Sequence, residues 1–168
     1  MRSFVKTALI VGLLFIALKS SQAMGQFFEM ENSMIGKPAK DFTLKTLGGQ
    51  DKSMTKLRDG GNAIVFFWAT WCPHCREQLK QLSEQGDEIQ KKGIKVFLVD
   101  IGENNREVQS YVERNKVPFE VFLDVDSVLA EDYNVIGVPT FFFINKDGIV
   151  KDVEHCIPDN YEEIFTKG

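Results

Sequence analysis

The sequence predicts an α/β domain with parallel strand pairings, on three observations. Two nearly continuous apolar runs, Ala63–Ala69 and Ile94–Ile101, have the composition of central strands buried on both faces. Stretches with helical spacing separate and follow them, so strands alternate with helices. Near the C-terminus, Thr140–Ile144 and Ile149–Val153 flank Asn145-Lys146-Asp147-Gly148, which reads as a terminal hairpin. A length of 168 residues and a hydrophobic share of 43% suit one core in one compact domain.

The chain opens with Arg2 and Lys6, then an apolar run from Ala8 to Leu18 that ends at Lys19. As a helix this run covers about half of a hydrocarbon core, which takes roughly 20 residues, and Ser21-Gln22-Ala23 has the small-x-small spacing of a cleavage site. Residues 1–23 are therefore read as a cleaved export signal. The alternative is an uncleaved anchor, with residues 5–18 holding the domain at the outer face of a membrane. No Cys lies near residue 23, so lipid anchoring has no support. Residues 24–33 show no sustained period and read as a linker, with the folded domain running from Met34 to residue 168.

Within that domain, Asp41–Leu44 alternates as a short strand, Gly48-Gly49 marks a turn, and Asp51–Met54 returns as its hairpin partner. After the strand at 63–69, Pro73–Lys92 is helical, with Leu79, Leu82 and Ile89 at compatible spacing and Gly86 as a point of bending or interruption. A helix over Glu107–Asn115, a strand over Phe119–Leu123, a short helix over Ser127–Tyr133 and a last helix over Asn160–Phe165 complete the pattern. There is no internal repeat. The 24 acidic and 20 basic residues give a net charge of -4 with no basic block to follow a phosphate backbone, which excludes nucleic acid as a natural partner.

The chemistry centres on Trp71-Cys72-Pro73-His74-Cys75. A strand that gives way to a helix near Pro73 places Cys72 at the helix N-terminus, where unpaired N–H groups and the helix dipole stabilise a thiolate relative to a thiol. Pro73 suits the first helical position because the N–H it lacks has no partner there. Two intervening residues let Cys75 close a disulfide with Cys72, so Cys72 reads as the nucleophile and Cys75 as the resolving thiol. His74 can stabilise the Cys72 thiolate by charge or hydrogen bonding and so tune the pair. No cofactor is needed for this exchange.

Two other uses of Cys-x-x-Cys fit less well. A closed zinc site takes four ligands, and the chain has no second Cys-x-x-Cys and only His74 and His155. Covalent haem attachment requires His directly after the second Cys, where Arg76 stands.

Here the sequence resembles a known family. Phe67-Trp68-Ala69-Thr70-Trp71-Cys72-Pro73-His74-Cys75-Arg76 is similar to the active-site segment of the thioredoxin superfamily, and Gly36–Leu44 resembles the N-terminal hairpin of its membrane-associated and periplasmic branch, which contains the thiol-disulfide proteins of cytochrome c maturation. The resemblance implies a thioredoxin-like fold, a central mixed sheet flanked by helices with an N-terminal β-hairpin extension. It implies a cis Pro139 beside the redox pair, with Trp71, Val138, Pro139 and Thr140 contacting substrate. Exported protein thiols or disulfides would be the substrates and a membrane thiol-disulfide carrier the electron partner. Trp68 and Phe141–Phe143 read as core, and His155 as solvent-facing.

The departures from the family pattern bear on direction. Phe66 stands where thioredoxins proper carry a buried acid, and Gln78 where the cytochrome-maturation branch often carries Glu. Glu77 would project about 100° away around the helix. The scaffold thus suggests a reductant, whereas the Pro73-His74 dipeptide resembles that of the periplasmic disulfide donor, and the direction stays open. Cys156, placed near the end of the last strand, is a possible accessory thiol that exchanges with Cys72 or pairs between molecules; the plainer reading is an idle thiol. Two further functions complete the field. One is a thiol-based chaperone or binding module for a soft ion such as Cu(I), using Cys72, Cys75 and His74. The other is a peroxidase sharing the N-terminal hairpin, against which Thr70 lies two residues from Cys72 rather than three.

Overall fold

The structure, a computed structural model, describes residues 32–166. The expected export signal at 1–23 and nearly all of the expected linker at 24–33 lie outside the described residues. Within them, seven strands form one sheet: β1 (Thr43–Thr46), β2 (Asp51–Ser53), β3 (Ala63–Trp68), β4 (Lys95–Ile101), β5 (Glu120–Asp124), β6 (Thr140–Ile144) and β7 (Val150–Glu154). Their order is β2-β1-β5-β4-β3-β6-β7. The central β3–β4 and β4–β5 pairs are parallel, and the flanking pairs are antiparallel. The sheet is therefore mixed, and the fold is thioredoxin-like.

The helices are α1 (Met54–Arg58), α2 (Pro73–Glu84), α3 (Gly86–Lys91), α4 (Asn105–Asn115), α5 (Val128–Asp132) and α6 (Tyr161–Ile164). Among the described residues no helix is long and apolar enough to cross a membrane.

The two-residue period of β3 splits the core between the faces of the sheet. Ile64, Phe66 and Trp68 pack with Leu79, Leu82, Tyr161 and Ile164 on one side, while Ala63, Val65 and Phe67 pack with Met54, Leu129 and Tyr133 on the other. All six residues of β3 are buried, as a strand covered on both faces requires. Phe66 faces Phe141 across the β3–β6 ladder, with ring centroids 4.0 Å apart. Such an aromatic pair contributes about 0.5–1.5 kcal/mol beyond its buried area.

Several boundaries differ from expectation. The strand expected at Asp51–Met54 stops at Ser53, whose side chain accepts from Lys56 N at 3.3 Å and caps the unpredicted helix α1. Asp41 accepts from Thr55 N in the same turn at 3.0 Å, and Met54 is buried beneath it. The helical stretch expected over 73–92, with Gly86 as a point of bending or interruption, is two helices, α2 and α3, joined at Gln85. A Cβ on Gly86 would lie 3.2 Å from Phe119 Cζ, a tight contact that would press on that ring, so glycine lets it approach closely where α3 begins.

Candidate active site

β3 ends at Trp68 and α2 starts at Pro73, so the chain crosses from sheet to helix through Ala69–Cys72. The first N–H groups of a helix have no intrahelical partner. Cys72, extended at φ −83 and ψ 112, is the N-cap of α2, and its Sγ accepts from Cys75 N at 3.1 Å. Pro73 occupies the first turn. The two cysteines form a disulfide with Cα atoms 5.2 Å apart. Their exposures differ in kind: Cys75 is 0% exposed and Cys72 6%, so an incoming sulfur reaches Cys72 first. Trp71, 65% exposed, stands at the rim, and Trp68 is fully buried.

His74 is exposed, with Nδ1 3.4 Å from Glu77 Oε2. Behind the turn, Thr70 donates both its backbone N–H and its hydroxyl to the Glu103 carboxylate. Its carbonyl accepts from Arg76 Nη1 at 2.9 Å. The Thr70 hydroxyl is thus committed away from Cys72.

The second wall comes from distant sequence. The Val138–Pro139 peptide bond is cis, and the Val138 carbonyl oxygen lies 3.7 Å from Cys72 Sγ. Thr140, expected to contact substrate, is only 1% exposed; its hydroxyl donates to the Gly137 carbonyl at 2.7 Å. Its side chain is thus spent closing the turn and is not presented at the surface. After β7, His155 is exposed, as read from the sequence, and its Nδ1 lies 2.9 Å from Pro139 O at the edge of the site. Cys156 is exposed and free. Ile157 N donates to Gln78 Oε1 at 2.7 Å, one helical turn beyond Cys75. Gln78 is buried, and its amide oxygen is engaged structurally.

Sequence reasoning missed two carboxyls beside the turn. Asp100, fully buried, is the ladder partner of Trp68. Burial, then the neighbouring Glu103 carboxyl, push its pKa up to about 8. Glu103 itself is 8% exposed. The available signal was an acid interrupting the otherwise apolar run Val96–Ile101. Among the described residues, no cluster of three or more His, Cys, Asp or Glu side chains is arranged to hold a metal ion.

A reachable sulfur backed by a sealed one, on a thioredoxin-like sheet, defines a class of protein: the thiol-disulfide oxidoreductases. Comparison with known proteins supplies the family. Residues 35–153 match the AhpC/TSA family, and the chain belongs to it. The thiol-disulfide oxidoreductase ResA of Geobacillus thermodenitrificans is 31% identical over 145 residues, 86% of this chain and 83% of that protein. The crystal structure of StoA from Bacillus subtilis superimposes with a TM-score of 0.64 at 27% identity, covering 79% of this chain and 99% of that one. A secreted Mycobacterium tuberculosis disulfide oxidoreductase superimposes with a TM-score of 0.62 at 26% identity, covering 74% and 92% of the two chains. This chain is accordingly a thiol-disulfide oxidoreductase of the ResA/StoA type.

Proposed function

We propose that the enzyme works outside the cytoplasm, exchanging the Cys72–Cys75 disulfide with the thiols or disulfides of exported proteins, apocytochromes c among them, and is returned to its working redox state by a thiol-disulfide carrier in the membrane. The observation that carries the reading is the inequality of the two sulfurs. Cys72, at a helix N-terminus and next to the Val138 carbonyl, is placed to form the mixed disulfide. Cys75, sealed beneath it, is placed to resolve it. The basic-then-apolar N-terminus and the likeness to one secreted disulfide oxidoreductase support the location.

Trp71, Val138 and the cis Pro139 form the rim on which a substrate chain rests, with Pro73 and His74 tuning the pair. Cys156 serves as an accessory thiol. Digestion of the oxidised protein without reductant tests it: Cys156 in a mixed disulfide supports the role, and Cys156 free in every redox state removes it.

The direction of transfer is read from the reduction potential of the Cys72–Cys75 pair, measured by equilibration against a defined thiol-disulfide buffer. A value near about −270 mV makes the enzyme a reductant, and one near about −120 to −180 mV makes it a disulfide donor or isomerase. A pair that does not equilibrate with the buffer at all would overturn the assignment.

A further inference from the structure

His155 stands outside the cysteine motif, yet its ring meets the loop that borders Cys72. Two groups face Nδ1: the Pro139 carbonyl oxygen at 2.9 Å and Thr140 Oγ1 at 3.3 Å. A carbonyl oxygen can only accept. The Thr140 hydroxyl spends its proton on the Gly137 carbonyl at 2.7 Å, so it too presents lone pairs to the ring. Both contacts therefore require the proton to sit on Nδ1, which leaves Nε2 as the free nitrogen of the neutral ring. The imidazole is a donor shared by two consecutive residues of one turn.

That turn runs through Gly137, Val138, Pro139 and Thr140, and it holds the Val138 carbonyl 3.7 Å from Cys72 Sγ. Two residues further on, Ile157 N ties the same segment to Gln78 of α2 at 2.7 Å. Residues 155–157 thus strap the substrate-facing turn to the helix that carries Cys75.

We propose that His155 is a positioning residue of the exchange reaction: by donating from Nδ1 to Pro139 and Thr140 it fixes the 137–140 turn at the height where an extended polypeptide can lie beside Cys72. The proposal rests on the reading of this edge as the substrate-facing one. Its specificity is for chains over small disulfides, because a small disulfide needs only Cys72 Sγ, whereas a polypeptide must also seat its backbone along the turn. The chemistry is unchanged by the residue. The Cys72 thiolate attacks one sulfur of the substrate disulfide, the other sulfur leaves as a thiolate, and Cys75, giving up its proton to solvent or buffer, displaces the bound sulfur as a second thiolate while the Cys72–Cys75 bond forms.

The test uses the reduced full-length protein against two probes, insulin as a polypeptide disulfide and hydroxyethyl disulfide as a small one, with wild type, His155→Ala and His155→Asn. The Asn side chain places an N–H donor close to the position of Nδ1. The expected result for His155→Ala is a rise in KM for insulin of about two- to tenfold, the size of one lost hydrogen bond. The rate with hydroxyethyl disulfide should hold, and His155→Asn should recover most of the insulin effect. An equal loss on both probes, no loss on insulin, or an Asn variant as impaired as Ala would each overturn the proposal. Failure of the wild type to exchange with either disulfide would instead bring down the underlying functional reading. Melting curves of both variants keep the comparison valid: a variant that unfolds at the assay temperature is compared at a lower one, where the same outcomes apply.

Discussion

The two walls of the redox site are built in opposite ways. One is a single stretch, Thr70–Arg76, in which the N-cap, the first-turn proline, both sulfurs and the rim tryptophan follow one another along the chain. The other is assembled from Gly137–Thr140, His155–Ile157 and Gln78, segments brought together only by the sheet and by hydrogen bonds spanning up to 79 positions in sequence. The contiguous wall carries the electrons. On the proposed reading the assembled wall carries the fit to a partner, and its hydrogen bonds can be removed one at a time.

The contiguous wall should show the largest effects. Cys72→Ser is expected to drop disulfide exchange to the uncatalysed background, and Cys75→Ser to stop turnover while trapping a mixed disulfide on Cys72, visible as an added mass by mass spectrometry. Normal turnover in Cys75→Ser would mean the two sulfurs are not divided as described.

Behind that wall, Asp100 ties stability to pH. Its folded pKa of about 8 lies above the unfolded carboxyl value of about 3.9, so the native state holds the extra proton between the two. The associated stability is fully present below about pH 4 and is lost as pH rises towards 8, at up to about 1.4 kcal/mol per unit inside that window. Asp100→Asn should flatten this slope, measured as the difference in melting temperature between pH 5 and pH 8; an unchanged slope would show that another group is responsible.

Glu103→Gln keeps an acceptor for Thr70 but removes the charge-assisted character of two bonds, a loss of about 1–2 kcal/mol by denaturant titration. The smallest effect belongs to His74→Ala. Its exposed contact with Glu77 supports stability by less than about 0.5 kcal/mol, so any sizeable change should appear in the reduction potential and not in the melting curve.

The same division explains what could be read from the sequence. The parallel centre of the sheet was legible because Ala63–Trp68 and Lys95–Ile101 are apolar enough to identify as central strands without neighbours, whereas its mixed character came only from the family resemblance. The redox turn was legible because Cys72, Pro73 and Cys75 act through local helix geometry. Helix α1 was not, since five residues carry too little periodicity and its cap depends on Asp41 folding back from before β1. The break at Gly86 was visible as a glycine, but its cause, the Phe119 ring arriving from over thirty residues away, belongs to tertiary packing. His155 is exposed as its loop position suggested, but its contact with the Pro139 carbonyl was not legible, because that carbonyl is brought to it by the turn before β6.

The loop between β7 and α6 has a consequence for how the folded protein meets proteases. Exposed His155, Cys156, Asp159 and Asn160 lie in it, the kind of surface segment at which proteases nick folded chains. On its far side Tyr161, Ile164 and Phe165 are packed in the core, so a cut within the loop would leave the fragments associated and the seven strands intact. The molecule would still look folded by circular dichroism while the strap on the 137–140 turn slackened. On the proposed reading a seated client would shield the same loop, making resistance to limited proteolysis a direct gauge of occupancy.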